Sequence, residues 1–196
     1  CTLIRNPPLA PAHTIHPDSR ESWLRLAASL GLMTIGSGAM YVVAVVLPSV
    51  QATFGVGRSD ASLPYTALMI GFGFGGLFMG RMADRFGVMV PALVGAMGLA
   101  SGYAIASTAD SIGSFSLVHG LLIGFAGASA TFGPLVADTS LWFDKRRGIA
   151  VAICASGNYV AGAIWPPVVQ ALVEQHGWRS TYLVIAAICA LTMPPL

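Results

Sequence analysis

The segment Gly80-Arg81-Met82-Ala83-Asp84-Arg85-Phe86-Gly87 sets one carboxylate between two guanidinium groups and closes on a glycine at each end. A carboxylate here can cap the positive end of a neighbouring helix, and a guanidinium can pair with an acid on the same face. That is the chemistry of a charge lock. A second set of polar residues lies inside otherwise apolar runs: Thr34, Tyr41, Tyr65, His119, Thr131, Asn158, Tyr159 and Trp165. Hydroxyl, phenol, imidazole and amide groups in such places offer hydrogen bonds to a polar solute, a carboxylate included. Asn158 weighs most, because its two donors and two acceptor lone pairs are expensive to leave in lipid. Tyr159 follows it, but helix neighbours point about 100° apart, so the two cannot both face one pore.

The elements that must carry these groups are apolar and long. Charged residues make up 9% of the chain, against about 25% in a soluble domain, so the chain reads as an integral membrane protein of α-helices. Crossing a hydrocarbon core of about 30 Å takes about 20 apolar residues. Six runs meet or approach that length: Leu24–Pro48, Leu63–Met82, Val88–Ser107, Ile112–Ala137, Gly148–Val173, and Tyr182 onward. The sixth stops at Leu196, short for a crossing, and the chain opens on Cys1; both point to a piece of something longer. Small residues one turn apart, Gly71 with Gly75, Gly76 with Gly80, Gly98 with Gly102 and Gly120 with Gly124, predict close helix packing.

Residues 1–22 differ in kind. Pro7, Pro8, Pro11 and Pro17 with His13 and His16 read as a flexible cytoplasmic tail that cannot bury an apolar face. Two histidines without a third ligand nearby make no metal site, and no cofactor is expected. Cys154 and Cys189 fall inside spans and read as small packing residues.

Lys and Arg give the orientation, since cationic loops stay in the cytoplasm. Arg5, Arg20, Arg25, Arg81, Arg85, Lys145, Arg146 and Arg147 fall on one side of the six runs, and Arg58 and Arg179 on the other. This predicts a cytoplasmic amino terminus in an inner or plasma membrane. Trp23 and Trp142 agree at the inner boundary and Trp178 at the outer one, while Trp165 lies within a span. The basic residues thereby read as topological markers, which removes nucleic acid as a partner.

The Gly-x-x-x-Asp-Arg-x-Gly turn between the second and third runs, carried by Gly80, Asp84, Arg85 and Gly87, resembles the signature of the major facilitator superfamily of secondary transporters. The resemblance implies that this loop latches two transporter halves at the cytoplasmic face, and that Asp138, at the inner end of the fourth run, belongs to the same network. The chain departs from the pattern after Gly87, with Val88-Met89 where basic residues are usual, which implies a weaker latch. Arg146-Arg147-Gly148-Ile149-Ala150 opening the fifth run and Gly177-Trp178-Arg179 before the sixth resemble the monocarboxylate and oxalate/formate transporter-like branch.

Such a transporter has two similar halves of six spans, each built of two inverted triplets, with the solute held between them near the midplane. The order of the motifs matches the amino-terminal half, so residues 23–196 are expected to form that half and to require a carboxy-terminal partner half. The implied activity is secondary active transport of a small organic anion, coupled to a proton or to exchange, with no catalysis.

No Asp or Glu lies deep in any run, so the cationic anchor for an anion, an arginine in the related branch, would come from the other half. His119 is the one residue inside a span that could titrate. Plainer readings stand beside these: Tyr65 as an interfacial anchor, His119 as a neutral ring bonded to a neighbouring carbonyl, and Trp165 as a wedge at the bend imposed by Pro166 and Pro167. The alternatives to an anion carrier are a carrier of a neutral or drug-like solute and a non-transporting six-helix sensor or scaffold.

Overall fold

The computed structural model describes residues 19–194, and among them all regular structure is helical. The proline-rich segment and its two histidines lie outside the described residues. Helix α1 spans Arg20–Phe54, starting a little before the predicted boundary because the Ser19 hydroxyl accepts the Ser22 N–H at 3.3 Å as an N-cap. It runs through Pro48, the predicted end, and stops only at Gly55, whose φ of 62° lets its N–H close back on the Gln51 carbonyl. Proline forfeits one backbone bond, a loss that transmembrane helices tolerate among neighbouring helices.

A single turn, α2 (Arg58–Ala61), leads into α3 (Leu63–Phe86), and α4 (Met89–Ser107) follows across Gly87. Gly87 sits at φ 81° and donates its N–H to the Ala83 carbonyl at 2.8 Å, so the tight turn is made at Gly87, while Gly80 and the charged residues Arg81, Asp84 and Arg85 lie in the last turns of α3.

The fourth run departs from expectation. It begins as α5 (Ile112–Val118), widens into a π-helical segment His119–Gly127, tightens into a 3₁₀ turn Ala128–Thr131, and resumes as α6 (Gly133–Trp142). The fifth and sixth runs form one continuous helix, α7 (Arg147–Thr192), with a break at Gly177 (φ 76°, ψ 162°). Unbroken, its 46 residues would reach on the order of 70 Å, more than twice a bilayer core. The left-handed glycine turns it into two limbs, residues 147–176 and 178–192, so the five helical stretches long and apolar enough to cross a membrane lie as six limbs, one for each of the six predicted runs.

Packing follows three pairings. α1 lies against the first limb of α7, α3 against the π segment, and α4 against the second limb of α7. Exchanging the first three crossings with the last three maps the first pairing onto the second and returns the third to itself, the relation expected of two triplets of opposite topology. The core lies along α1 (Val42, Val43, Val46, Val50) with Leu68, Leu99, Ile123 and Ile185. Outward faces are apolar too: Ile70, Phe74, Leu77 and Phe78 of α3 are all more than half exposed, which suits lipid or another apolar surface and not water.

The glycine expectations divide. A side chain at Gly71 would strike the Gly120 carbonyl, one at Gly75 the Phe125 carbonyl, and those at Gly98 and Gly102 the π segment, so α3 and α4 form a slot for its backbone. Gly76 and Gly80 face open space and pack against nothing.

Side-chain contacts sort the connections into two ends. Trp23 meets Phe143 edge to face at 5.2 Å and Arg25 pairs with Asp138, while Val88, Met89 and Met193 border the same small cavity as that pair. At the opposite end Trp178 donates its indole N–H to the Thr53 hydroxyl at 3.0 Å. There Arg179 donates to the Ser107 and Ala109 carbonyls, each at 2.8 Å. These last bonds cap the carbonyl end of α4 with a cation, its favoured partner. Trp178, expected in the headgroup zone, is 6% exposed and packs among Phe54, Phe115 and Tyr182.

Candidate functional site

Four of the sequence-derived candidates meet halfway along the α1–α7 interface. Gly157, Ala161 and Gly162 give the first limb of α7 a shallow face: a Cβ at Gly157 would lie 2.9 Å from Met33, and one at Gly162 would lie 2.9 Å from the Tyr41 ring. Helical side chains lean toward the amino end of their own helix, so each long side chain reaches back one turn or two along its neighbour. The Tyr41 hydroxyl donates to the Asn158 backbone carbonyl at 3.2 Å, and the Trp165 indole N–H donates to the Thr34 carbonyl at 2.9 Å. Gly38 makes the slot for that indole, since any Cβ there would fall inside van der Waals contact with the ring.

The hydrogen-bond account of this cluster fails to close at the Asn158 side chain. The Thr34 hydroxyl donates to Leu30 O at 2.8 Å, and the Tyr41 and Trp165 donors are spent as above. The Asn158 side-chain oxygen, Oδ1, is buried and has no hydrogen-bond partner. Leaving such an acceptor unmade costs about 1–3 kcal/mol, so a polar group held there at a loss, in the middle of an apolar interface, marks the position most open to a functional explanation.

Thr131 joins the cluster from the fourth crossing. It is buried, its hydroxyl donates to Ala128 O at 2.9 Å, and its side chain rests on Gly36 of α1, where a Cβ would collide with it.

The other candidates stand apart. Tyr65 is 41% exposed at the start of α3. Tyr159 is 77% exposed and lies outside the α1–α7 interface that its neighbour enters. His119 lies toward the other end of the bundle, 1% exposed, with Nδ1 at 2.8 Å from Phe115 O and Nε2 at 3.0 Å from the Tyr182 hydroxyl. A carbonyl only accepts, so Nδ1 carries the proton; the neutral ring then accepts the Tyr182 O–H at Nε2. Both nitrogens are thereby engaged, and the ring ties the fourth crossing to the sixth.

At the charge-rich end, Asp84 and Arg85 are exposed, and the Arg85 guanidinium sits 5.2 Å from the centre of the Phe86 ring. Asp84 has no hydrogen bond or ion pair among the described residues. Asp138 instead pairs with Arg25 at 3.6 Å, while the same guanidinium lies 4.0 Å above the Trp142 ring. Arg25 entered the sequence reading only as a topological marker; its partner lies 113 positions away, and nothing local announces it. Gly36, Gly38 and Tyr182 also escaped notice, although the Gly36-Ser37-Gly38 triplet in the middle of a span was a visible sign of close approach.

Comparison with known proteins places the chain in a family. Residues 28–196 match the Major Facilitator Superfamily. The chain is 28% identical to monocarboxylate transporter 3 of Gallus gallus over 193 residues, covering 95% of this chain and 35% of that protein. It is 29% identical over 150 residues to the uncharacterized MFS-type transporter YcxA of Bacillus subtilis, covering 76% of this chain and 36% of that protein. Human monocarboxylate transporter 11 is 25% identical over 173 residues, 88% of this chain and 36% of that protein. The chain thus spans about a third of the length of the curated relatives it matches. With five helical stretches long and apolar enough to cross a membrane, a tight Asp-Arg turn between α3 and α4, and a family match that runs from residue 28 to residue 196, the chain belongs to the Major Facilitator Superfamily.

Proposed function

We propose that this chain is the amino-terminal half of a secondary active transporter that moves a small organic anion of the monocarboxylate type by alternating access, driven by a proton or by exchange. The observation that carries the reading is the unpaired Asn158 oxygen at the centre of the α1–α7 interface, with Tyr41, Thr34 and Trp165 around it and Thr131 close by. In this reading Asn158 and the nearby hydroxyls supply directional hydrogen bonds to the solute. Nothing cationic lies at that depth among the described residues, so the charge that holds an anion comes from a second half packed against this one.

The charge-rich end faces the cytosol, where cationic loops are retained. Asp84 and Arg85 stand exposed there and engage the second half as a latch, with Gly87 shaping the turn. Relatives named monocarboxylate transporters support the anion. The absence of charge from the described mid-span interface supports a second reading, a neutral solute.

Uptake of labelled small carboxylates into vesicles holding the full-length protein, with and without a pH gradient, tests the proposal. Saturable uptake stimulated by an inward proton gradient or by internal carboxylate is expected. Absence of uptake for every carboxylate, with uptake of an uncharged solute, would replace the anion reading by the neutral one.

A further inference from the structure

The charge-rich end of the bundle holds a second polar cluster, which the solute path does not use. Arg25 pairs with Asp138 at 3.6 Å, longer than a hydrogen bond, and the arginine side chain is 51% exposed. The Trp142 ring, 4.0 Å from the guanidinium, fixes where that group sits. Among the described residues none of its N–H donors makes a hydrogen bond. Arginine carries five such donors, in a fork that fits the oxygens of a phosphate.

This guanidinium stands at the rim of a cavity of about 220 Å³. Going inward along α1, the cavity wall passes from Arg25 through Ala28 and Ser29 to Leu32, all on one helix face. The Ser29 side chain, one turn below the guanidinium, is 6% exposed, and its hydroxyl has no hydrogen bond among the described residues. A serine within a helix can return that donor to the carbonyl four residues back, as Ser116 does, and Ser29 does not. The facing wall is apolar: Val88, Met89, Ala92 and Leu93 of α4 with Leu135 of α6. Met89 is 65% exposed and Leu93 42%, so the cavity is open along its α4 side.

From its rim inward the cavity offers a cationic fork, a hydroxyl and a hydrocarbon wall, which is the order of phosphate, ester and acyl chain in a glycerophospholipid. We propose that it is a binding site for an anionic phospholipid, with the phosphate on Arg25, an ester carbonyl accepting the Ser29 hydroxyl, and the start of one acyl chain against Leu32, Leu93 and Leu135. The depth agrees, since Trp23 and Trp142 mark the headgroup zone at this end. Charge selects the lipid: the described residues here carry seven Lys and Arg against Glu21, Asp84, Asp138 and Asp144, an excess that attracts anionic headgroups. Asp138 competes with the phosphate for Arg25, so it lowers the affinity.

Native mass spectrometry of the full-length protein in detergent tests this, with titration of palmitoyl-oleoyl phosphatidylglycerol and of the phosphatidylcholine and phosphatidylethanolamine with the same chains. The first phosphatidylglycerol should bind at least about fivefold more tightly than phosphatidylcholine. Arg25→Gln should weaken that step about fivefold, while Arg81→Gln, at the same end but outside the cavity, should leave it unchanged. Asp138→Asn should tighten it about two- to fivefold. Ala92→Phe fills the cavity with every charge in place and should abolish the preference, a readout that does not depend on breaking the ion pair. Glycerol phosphate, which lacks the chains, should not compete. Equal losses in Arg25→Gln and Arg81→Gln would overturn the site in favour of diffuse surface attraction. So would tighter binding of phosphatidylethanolamine that Asp138→Asn weakens, the mark of a headgroup ammonium held by the carboxylate.

Discussion

At the residue scale the account turns on an amide. Asn158 keeps one oxygen buried and unpaired, and a purely structural protein gains nothing by it. Asn158→Leu removes the unmet acceptor and keeps an apolar body of similar size, so thermal unfolding of the detergent-solubilised protein should hold steady or shift upward, in keeping with relief of about 1–3 kcal/mol. Carboxylate uptake should fall at least about tenfold, the consequence of losing about 1.4 kcal/mol of solute binding. Undiminished uptake kinetics would remove Asn158 from the solute path. The candidate residues were legible in part. Polar groups inside apolar runs are conspicuous, which is why Tyr41, Asn158, Thr34 and Trp165 were all named; what they do for one another was not, because each bond crosses more than 110 positions of chain. The same distance hid Arg25 from Asp138.

At the scale of elements, apolar length announces the crossings, and Gly87 and Gly177 announce two of the turns, because a left-handed backbone selects glycine. The π and 3₁₀ stretch in the fourth crossing left no comparable mark. Its composition suits an ordinary helix, and its backbone follows the slot that Gly71, Gly75, Gly98 and Gly102 make in α3 and α4, a tertiary cause. Neighbouring glycines on α3 separate packing from propensity. Gly75→Ala drives a methyl against Phe125 O and Ser129 and should destabilise by about 1–3 kcal/mol. Gly76→Ala meets open space and should stabilise by about 0.5–1 kcal/mol. Thermal melts of the two variants are expected to move in opposite directions; melts that move together would mean that α3 does not present these faces as described.

At the scale of the whole molecule, one arrangement accounts for both the contacts and the charges. Six antiparallel crossings put the amino end of α1, the Gly80–Gly87 turn and the α6–α7 connection at one end, with Thr53, Ser107 and Trp178 at the other. The first end holds seven of the described Lys and Arg residues and the second end two, Arg58 and Arg179. The proposed transport by alternating access and the proposed cytosolic latch both depend on that arrangement. Its most direct test is labelling of single cysteines with a membrane-impermeant maleimide, in sealed right-side-out and inverted vesicles carrying the full-length protein. Asp84→Cys and Asp144→Cys should react only from the cytosolic side, and Ser59→Cys and Asp110→Cys only from the opposite side. Reaction of Asp84→Cys and Asp144→Cys from opposite sides of the bilayer would contradict the six-crossing arrangement and the transporter built on it.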